Sequence, residues 1–137
     1  MKNVLLACLA VVVLGACANT VKIEPALLPD SPEAIVQRQV DAYNRRDLDA
    51  FVATYAANAE AFTFPNTPLG TGHDAWRAIY GPLFRDTPDL NIVISRRIVH
   101  GATVIDEEQL TMNGKLLKVV AIYQIESGKI RRVWFIE

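Results

Sequence analysis

After Pro88 the chain settles into one pattern that constrains everything before it. Leu90–His100, Thr103–Met112, Lys115–Glu126 and Lys129–Glu137 are rich in Val, Ile and Thr and are separated by Gly101, Asn113-Gly114 and Ser127-Gly128. β-Branched side chains suit a pleated surface, and Asn-Gly supplies the positive φ that a tight primed turn demands. The pattern predicts an antiparallel meander whose firmest hairpin is at Asn113-Gly114. A sheet of this length must bury one face under something, and the only amphipathic cover lies upstream.

That cover reads as helices. Ser31-Pro32-Glu33 combines a capping hydroxyl, a proline suited to the first turn and an acid at the positive end of the dipole, and Val36, Val40 and Tyr43 follow at helical spacing. Asp47 can cap a second helix with Leu48, Phe51, Val52 and Tyr55 on one face. Ala61-Phe62-Thr63-Phe64-Pro65 reads as a short strand ended by proline, and 66–72 as turn. A third helix is expected from about His73, carrying Trp76, Ile79, Tyr80, Leu83 and Phe84, with Gly81-Pro82 ending or kinking it near Tyr80. The expected fold class is α+β: a cone-shaped, strongly curved antiparallel sheet closed by three N-terminal helices. Helices cannot fill a strongly curved sheet, so the remainder is a pocket.

The chain has 137 residues, one domain by length, and 51% hydrophobic against 21% charged residues argues for a folded core. With 14 basic and 15 acidic side chains there is no positive field for phosphates, so no nucleic-acid partner is expected. His73 and His100 are far apart with no third clustered ligand, so neither a metal nor a cofactor is expected.

Lys2 precedes the unbroken apolar run Val4–Leu14, too short to span a bilayer but suited to an export signal. Leu14-Gly15-Ala16-Cys17 closes that run and resembles the bacterial lipobox, which implies acylation of Cys17. The organisation expected is a signal peptide over 1–16, a tether over 17–30 containing Pro25 and Pro29, and one domain over 31–137. Cys8 leaves with the signal and Cys17 would be modified, so no disulfide can form within the mature chain. The expected location is the cell envelope, with membrane attachment through Cys17. Ala18 lacks the aspartate that retains lipoproteins at an inner membrane, which by resemblance implies the outer membrane in a source with two.

Asn44-Arg45-Arg46-Asp47-Leu48-Asp49 with Phe51 and Tyr55-Ala56, then Gly72-His73-Asp74-Ala75-Trp76, then Gly128-Lys129-Ile130 with Val133-Trp134-Phe135, resemble the nuclear transport factor 2-like superfamily in its SnoaL-like and ketosteroid-isomerase-like branch. The resemblance covers roughly 31–137 and implies a cystatin-like cone, often a homodimer. Ketosteroid isomerases use a carboxylate base, a tyrosine and a protonated aspartic acid. Here those positions carry Thr63 or Phe64, Gln39 and Ala121, so steroid isomerisation by that route is not expected.

A turn at Gly101-Ala102 sets Arg97 opposite Asp106, Val99 opposite Val104 and Ser95 opposite Glu108, all on one sheet face. A base between two acids resembles the arginine-bridged pair of limonene-type epoxide hydrolases, in which one acid is protonated and the other ionised. Arg97–Asp106 and Arg96–Glu107 read equally well as solvated ion pairs. Tyr55, Phe64, Trp76, Tyr80, Phe84, Tyr123 and Phe135 are expected to line an apolar cavity, and Trp134, alternating with Phe135, to face outward for sheet packing or a dimer contact. Three functions remain open: binding of a small apolar molecule in the cone; isomerase, cyclase or epoxide-opening chemistry on Asp106, Glu108 and Arg97; or a non-catalytic envelope interaction module using the outer face.

Acylation of Cys17 has a direct check. Mass spectrometry of the membrane fraction should find a lipid-modified Cys17 at the N-terminus, and Cys17→Ser should release the protein from the membrane.

Overall fold

The computed structural model describes residues 28–137, arranged as α1 (Pro32–Arg45), α2 (Leu48–Ala53), β1 (Tyr55–Thr63), β2 (Thr67–Thr71), α3 (Gly72–Asp86), β3 (Asn91–His100), β4 (Thr103–Met112), β5 (Lys115–Glu126) and β6 (Lys129–Ile136). The expected signal peptide, Cys17 and the tether up to residue 27 lie outside the described residues. The fold is α+β, with one six-stranded sheet in the order β2-β1-β6-β5-β4-β3.

Helix α1 begins as its sequence dictates. Ser31 accepts from the Ala34 amide at 3.2 Å, Pro32 fills the first turn, and Arg46 closes the helix in the left-handed region at φ 56°. Its buried face includes Ile35, Val36, Gln39, Val40 and Tyr43. Just before that close, Asn44 reaches across to Ile92, its Oδ1 accepting from the Ile92 amide at 2.7 Å and its Nδ2 donating to the Ile92 carbonyl at 2.9 Å. Arg46 donates to the Leu90 carbonyl at 3.2 Å, so the end of α1 is fastened to the start of β3. Asp47 caps α2 by accepting from the Ala50 amide.

Strands β3 to β6 form the predicted meander, each within a residue or two of its expected bounds. Upstream, the expectations change, and Tyr55, expected on the second helix, opens a strand instead. Thr67–Thr71, read as turn, pairs antiparallel with β1; Thr67, Leu69 and Thr71 alternate as a strand requires, and Pro68 is tolerated because β2 is an edge. Strand β1 in turn runs from Tyr55 and pairs parallel with β6, so the sheet is mixed rather than purely antiparallel.

Helix α3 continues through Pro82 to Asp86 instead of ending near Tyr80. Pro82 is exposed, as is Ala78 one turn before it, so the carbonyl deprived of its partner belongs to an exposed residue. Beyond the proline, Phe84 is buried, and its ring meets Tyr43 at 5.2 Å and Phe51 at 5.4 Å, edge-on in both cases. This packing outweighs the local penalty.

Bulges bend the sheet. The register shifts between Ile94 and Arg96, between Ala61 and Phe62, and between Gln124 and Ile125, and each extra residue increases local twist. Helices α1 and α3 cover the concave face. On the convex face Ile98, Ile105, Ile122, Trp134 and Phe62 stand opposite one another in turn across five strands. Trp134 lies on this face, as alternation predicts, and stacks on Phe62 with centroids 5.7 Å apart.

The core is apolar, with Phe51, Val36, Val104, Ala121 and Ile130 fully buried. A fragment beginning at Ser31 should therefore melt in one cooperative transition with the same midpoint in chelator; calorimetry checks this.

Candidate functional site

The concave face carries Val104, Asp106 and Glu108 on β4 opposite Tyr123, Ala121 and Val119 on β5. Alternation along one strand therefore brings two carboxyls to the same buried side, two residues apart. Their fates differ. Asp106 is completely buried and its two carboxylate oxygens accept from Arg97 Nε and Nη2, both at 2.7 Å. Arg97 completes its bonding by donating from Nη1 to Gln37 Oε1 at 2.9 Å. Burial alone would lower the Arg97 guanidinium, but the bond to Asp106 more than reverses it and holds the group above its ordinary value.

Glu108 is 3% exposed, and its Oε1 accepts from the Tyr123 hydroxyl at 3.0 Å. Burial raises its pKa most; the Tyr123 bond opposes this, the Asp106 charge raises it further and Arg97 lowers it, leaving Glu108 at about 7 against an ordinary 4.5. The chain's four tyrosines are Tyr43, Tyr55, Tyr80 and Tyr123. All four are pushed upward, chiefly by burial, and in each the Glu108 charge contributes.

Glu108 opens on a cavity of about 210 Å³ between α1, α3 and the sheet, whose walls include Gln39, Tyr80, Leu110, Tyr123 and Phe135. Leu69 and Ile79, both substantially exposed, stand at this cavity as well. A larger hollow of about 430 Å³ lies between α1, α2 and the β5–β6 turn, where Arg38, Asp41 and Arg45 are all exposed. The smaller cavity is apolar and holds a buried carboxyl, so it is the candidate site.

Three of the seven expected wall residues, Tyr80, Tyr123 and Phe135, line this cavity. Tyr55 and Trp76 are buried in the core instead, meeting edge-on at 5.0 Å, and Phe84 packs against Tyr43 and Phe51. Phe64 is 54% exposed at the turn between β1 and β2, where the chain has left the pleat. Of the expected catalytic set, Glu108 stands at the cavity, while Asp106 and Arg97 are bound to each other beneath it and the structure gives no bond from Arg97 to Glu108. The bulge at Ser95 also alters the expected register: Ile94, not Ser95, stands opposite Glu108, and the Ser95 hydroxyl donates to the Glu107 carbonyl at 2.9 Å.

Sequence reasoning passed over Gln39 and Tyr43 as cavity residues. Gln39 is 4% exposed on the apolar stripe of α1, and its Oε1 has no hydrogen-bond partner. A glutamine one turn before Tyr43 on an otherwise apolar face is the signal that could have found it. Among the described residues no cluster of His, Cys, Asp and Glu is arranged to hold a metal ion.

The Arg97–Asp106 pair generates a stability prediction. Asp106→Ala leaves a buried guanidinium uncompensated and should cost about 3–5 kcal/mol, whereas the double variant with Arg97→Met should recover part of that loss. Denaturant unfolding of both single variants and the double measures the coupling.

The family model described as a SnoaL-like domain matches residues 36–133. No curated protein matches the sequence significantly. Among solved structures, an uncharacterized cystatin-fold protein from Novosphingobium aromaticivorans superposes with a TM-score of 0.73 at 23% identity, covering 78% of this chain and 98% of that one. A SnoaL-like polyketide cyclase from Agrobacterium tumefaciens gives 0.63 at 20% identity, covering 77% and 89%. A SnoaL-like protein of unknown function from Burkholderia thailandensis gives 0.65 at 19%, covering 82% and 97%. At these identities the structural likeness establishes the shared cone. Together with the match over residues 36–133, it places the chain in the SnoaL-like domain family.

Proposed function

We propose that this domain binds a small, largely apolar molecule in the cavity beneath the sheet, and that Glu108 exchanges a proton with it. One observation carries the reading: a carboxyl that burial pushes up to about 7 opens on an apolar cavity. A carboxyl in ordinary solvent is fully ionised at neutral pH, whereas this one divides between acid and base there, as general acid–base work requires. The reaction class that fits is proton transfer of the isomerase or cyclase kind. Water activation between an arginine-bridged acid pair fits less well, because both Asp106 oxygens are already held by Arg97.

Lipid attachment through Cys17, with the domain held in the cell envelope by the tether over 17–30, belongs to the same proposal and rests on Leu14-Gly15-Ala16-Cys17. A second reading, association of two copies through the convex face, is favoured by the apolar row from Ile98 to Phe62. A twofold axis along that row would set each residue against its own copy. Sedimentation of Trp134→Lys against the parent protein tests it, with loss of dimer expected.

Naphthalene is a suitable probe for the cavity. Its binding should perturb the NMR signals of Tyr80 and Phe135 and raise the Glu108 midpoint by displacing water; binding that leaves all three unchanged would refute the reading.

Stability carries the same signature with a definite sign. Because the folded-state pKa of Glu108 is raised, the folded protein holds a proton that the unfolded chain releases, so this contribution is complete below about 4.5 and lost as pH rises through about 7. Glu108 should therefore cause a fall of about 3 kcal/mol between those limits, absent in Glu108→Gln, as measured by denaturant unfolding across the range.

A further inference from the structure

The polar groups of the cavity are unevenly matched. Gln39 Oε1 is buried and has no partner, although an unpaired buried carbonyl is costly. Glu108 receives one bond, from Tyr123 to Oε1, and its other oxygen receives none from the described residues. Both residues line the same cavity. No described residue of its wall is a cation, and Arg97, which holds the neighbouring acid Asp106, is committed to Asp106 and Gln37 through Nε, Nη1 and Nη2. A further acid, Glu137, also stands at the wall.

An anionic head entering here would meet two acids and no counter-charge, and an acceptor-only head would leave Gln39 Oε1 unpaired. We infer that the cavity selects an amphipathic ligand whose head is a hydrogen-bond donor and not an anion, a hydroxyl or N–H delivered to Gln39 Oε1 and the Glu108 carboxyl. Its apolar body lies against Leu83, Ile92, Leu110 and Phe135. The inference rests on the binding reading above and adds the chemistry of the head. A volume of about 210 Å³ holds on the order of ten carbon-sized atoms at the density of a protein interior, so the body is the size of a fused pair of rings. With the donor on Glu108, the proton that this carboxyl exchanges is the ligand's own.

Four probes with one ring system separate the cases: naphthalene, naphthol, its methyl ether and naphthoate, titrated calorimetrically at about pH 8, where Glu108 is mostly ionised. Naphthol should bind about tenfold or more tightly than the methyl ether, and naphthoate should bind weakest. Gln39→Leu, nearly equal in size, should erase most of the preference for naphthol over the ether. Naphthalene binding with no gain for naphthol, or tightest binding of the ether or of naphthoate, would overturn the donor-head inference and leave the binding reading standing. An unchanged naphthol preference in Gln39→Leu would overturn the role given to Gln39. Failure of all four probes would remove the binding reading itself.

Discussion

Two carboxyls on one buried strand face would repel each other and oppose folding unless one of them were neutralised. Arg97 does this for Asp106 by gripping both of its oxygens, and Gln37 on α1 steadies the far side of the guanidinium. Of the two, Glu108 is thereby left without a counter-ion, in a place dry enough to make the proton its easiest partner. The pair thus acts at a distance on chemistry it does not touch. The Asp106 charge raises Glu108 while Arg97 lowers it, and the balance holds the group near neutrality.

The helices contribute a different constraint. Tyr43 on α1, Phe51 on α2 and Tyr80 and Phe84 on α3 form a cluster of tilted and edge-on rings, with Phe51 to Tyr80 the closest pair at 4.5 Å. Rings packed at such angles cannot flatten onto a bent sheet, and the gap they leave is the cavity. Tyr43 and Tyr80 belong to both, so the cavity shares part of its wall with the core behind it.

Much of this was legible in the chain. Turn chemistry at Gly101-Ala102, Asn113-Gly114 and Ser127-Gly128 is local, so it set the hairpins, and the first of these turns set the Arg97–Asp106 pairing and the common face of Asp106 and Glu108. What failed was governed by context. The Ser95 bulge shifts pairing within one strand and leaves no mark in composition, so the partner of Glu108 was misplaced by one residue. Pro82 obeys its local rule only when nothing beyond it needs burying, and Phe84 does. The aromatic wall was misjudged because helical spacing identifies a buried stripe without saying how deep in it the empty space begins. Tyr55 and Trp76 fell in the core, and Tyr80 at its margin.

The grip of Asn44 on Ile92 bears on how this sheet meets other chains. Strand β3 is an edge, and an edge offers unpaired amides and carbonyls to any passing strand. Asn44 takes the amide and the carbonyl of Ile92 together, much as a neighbouring strand would, and Arg46 takes the carbonyl of Leu90. One end of the edge is therefore already saturated by a helix. A foreign strand seeking register there would first have to displace an amide that satisfies both groups at once, so the fold carries its own guard against edge-to-edge aggregation at the point where β3 begins.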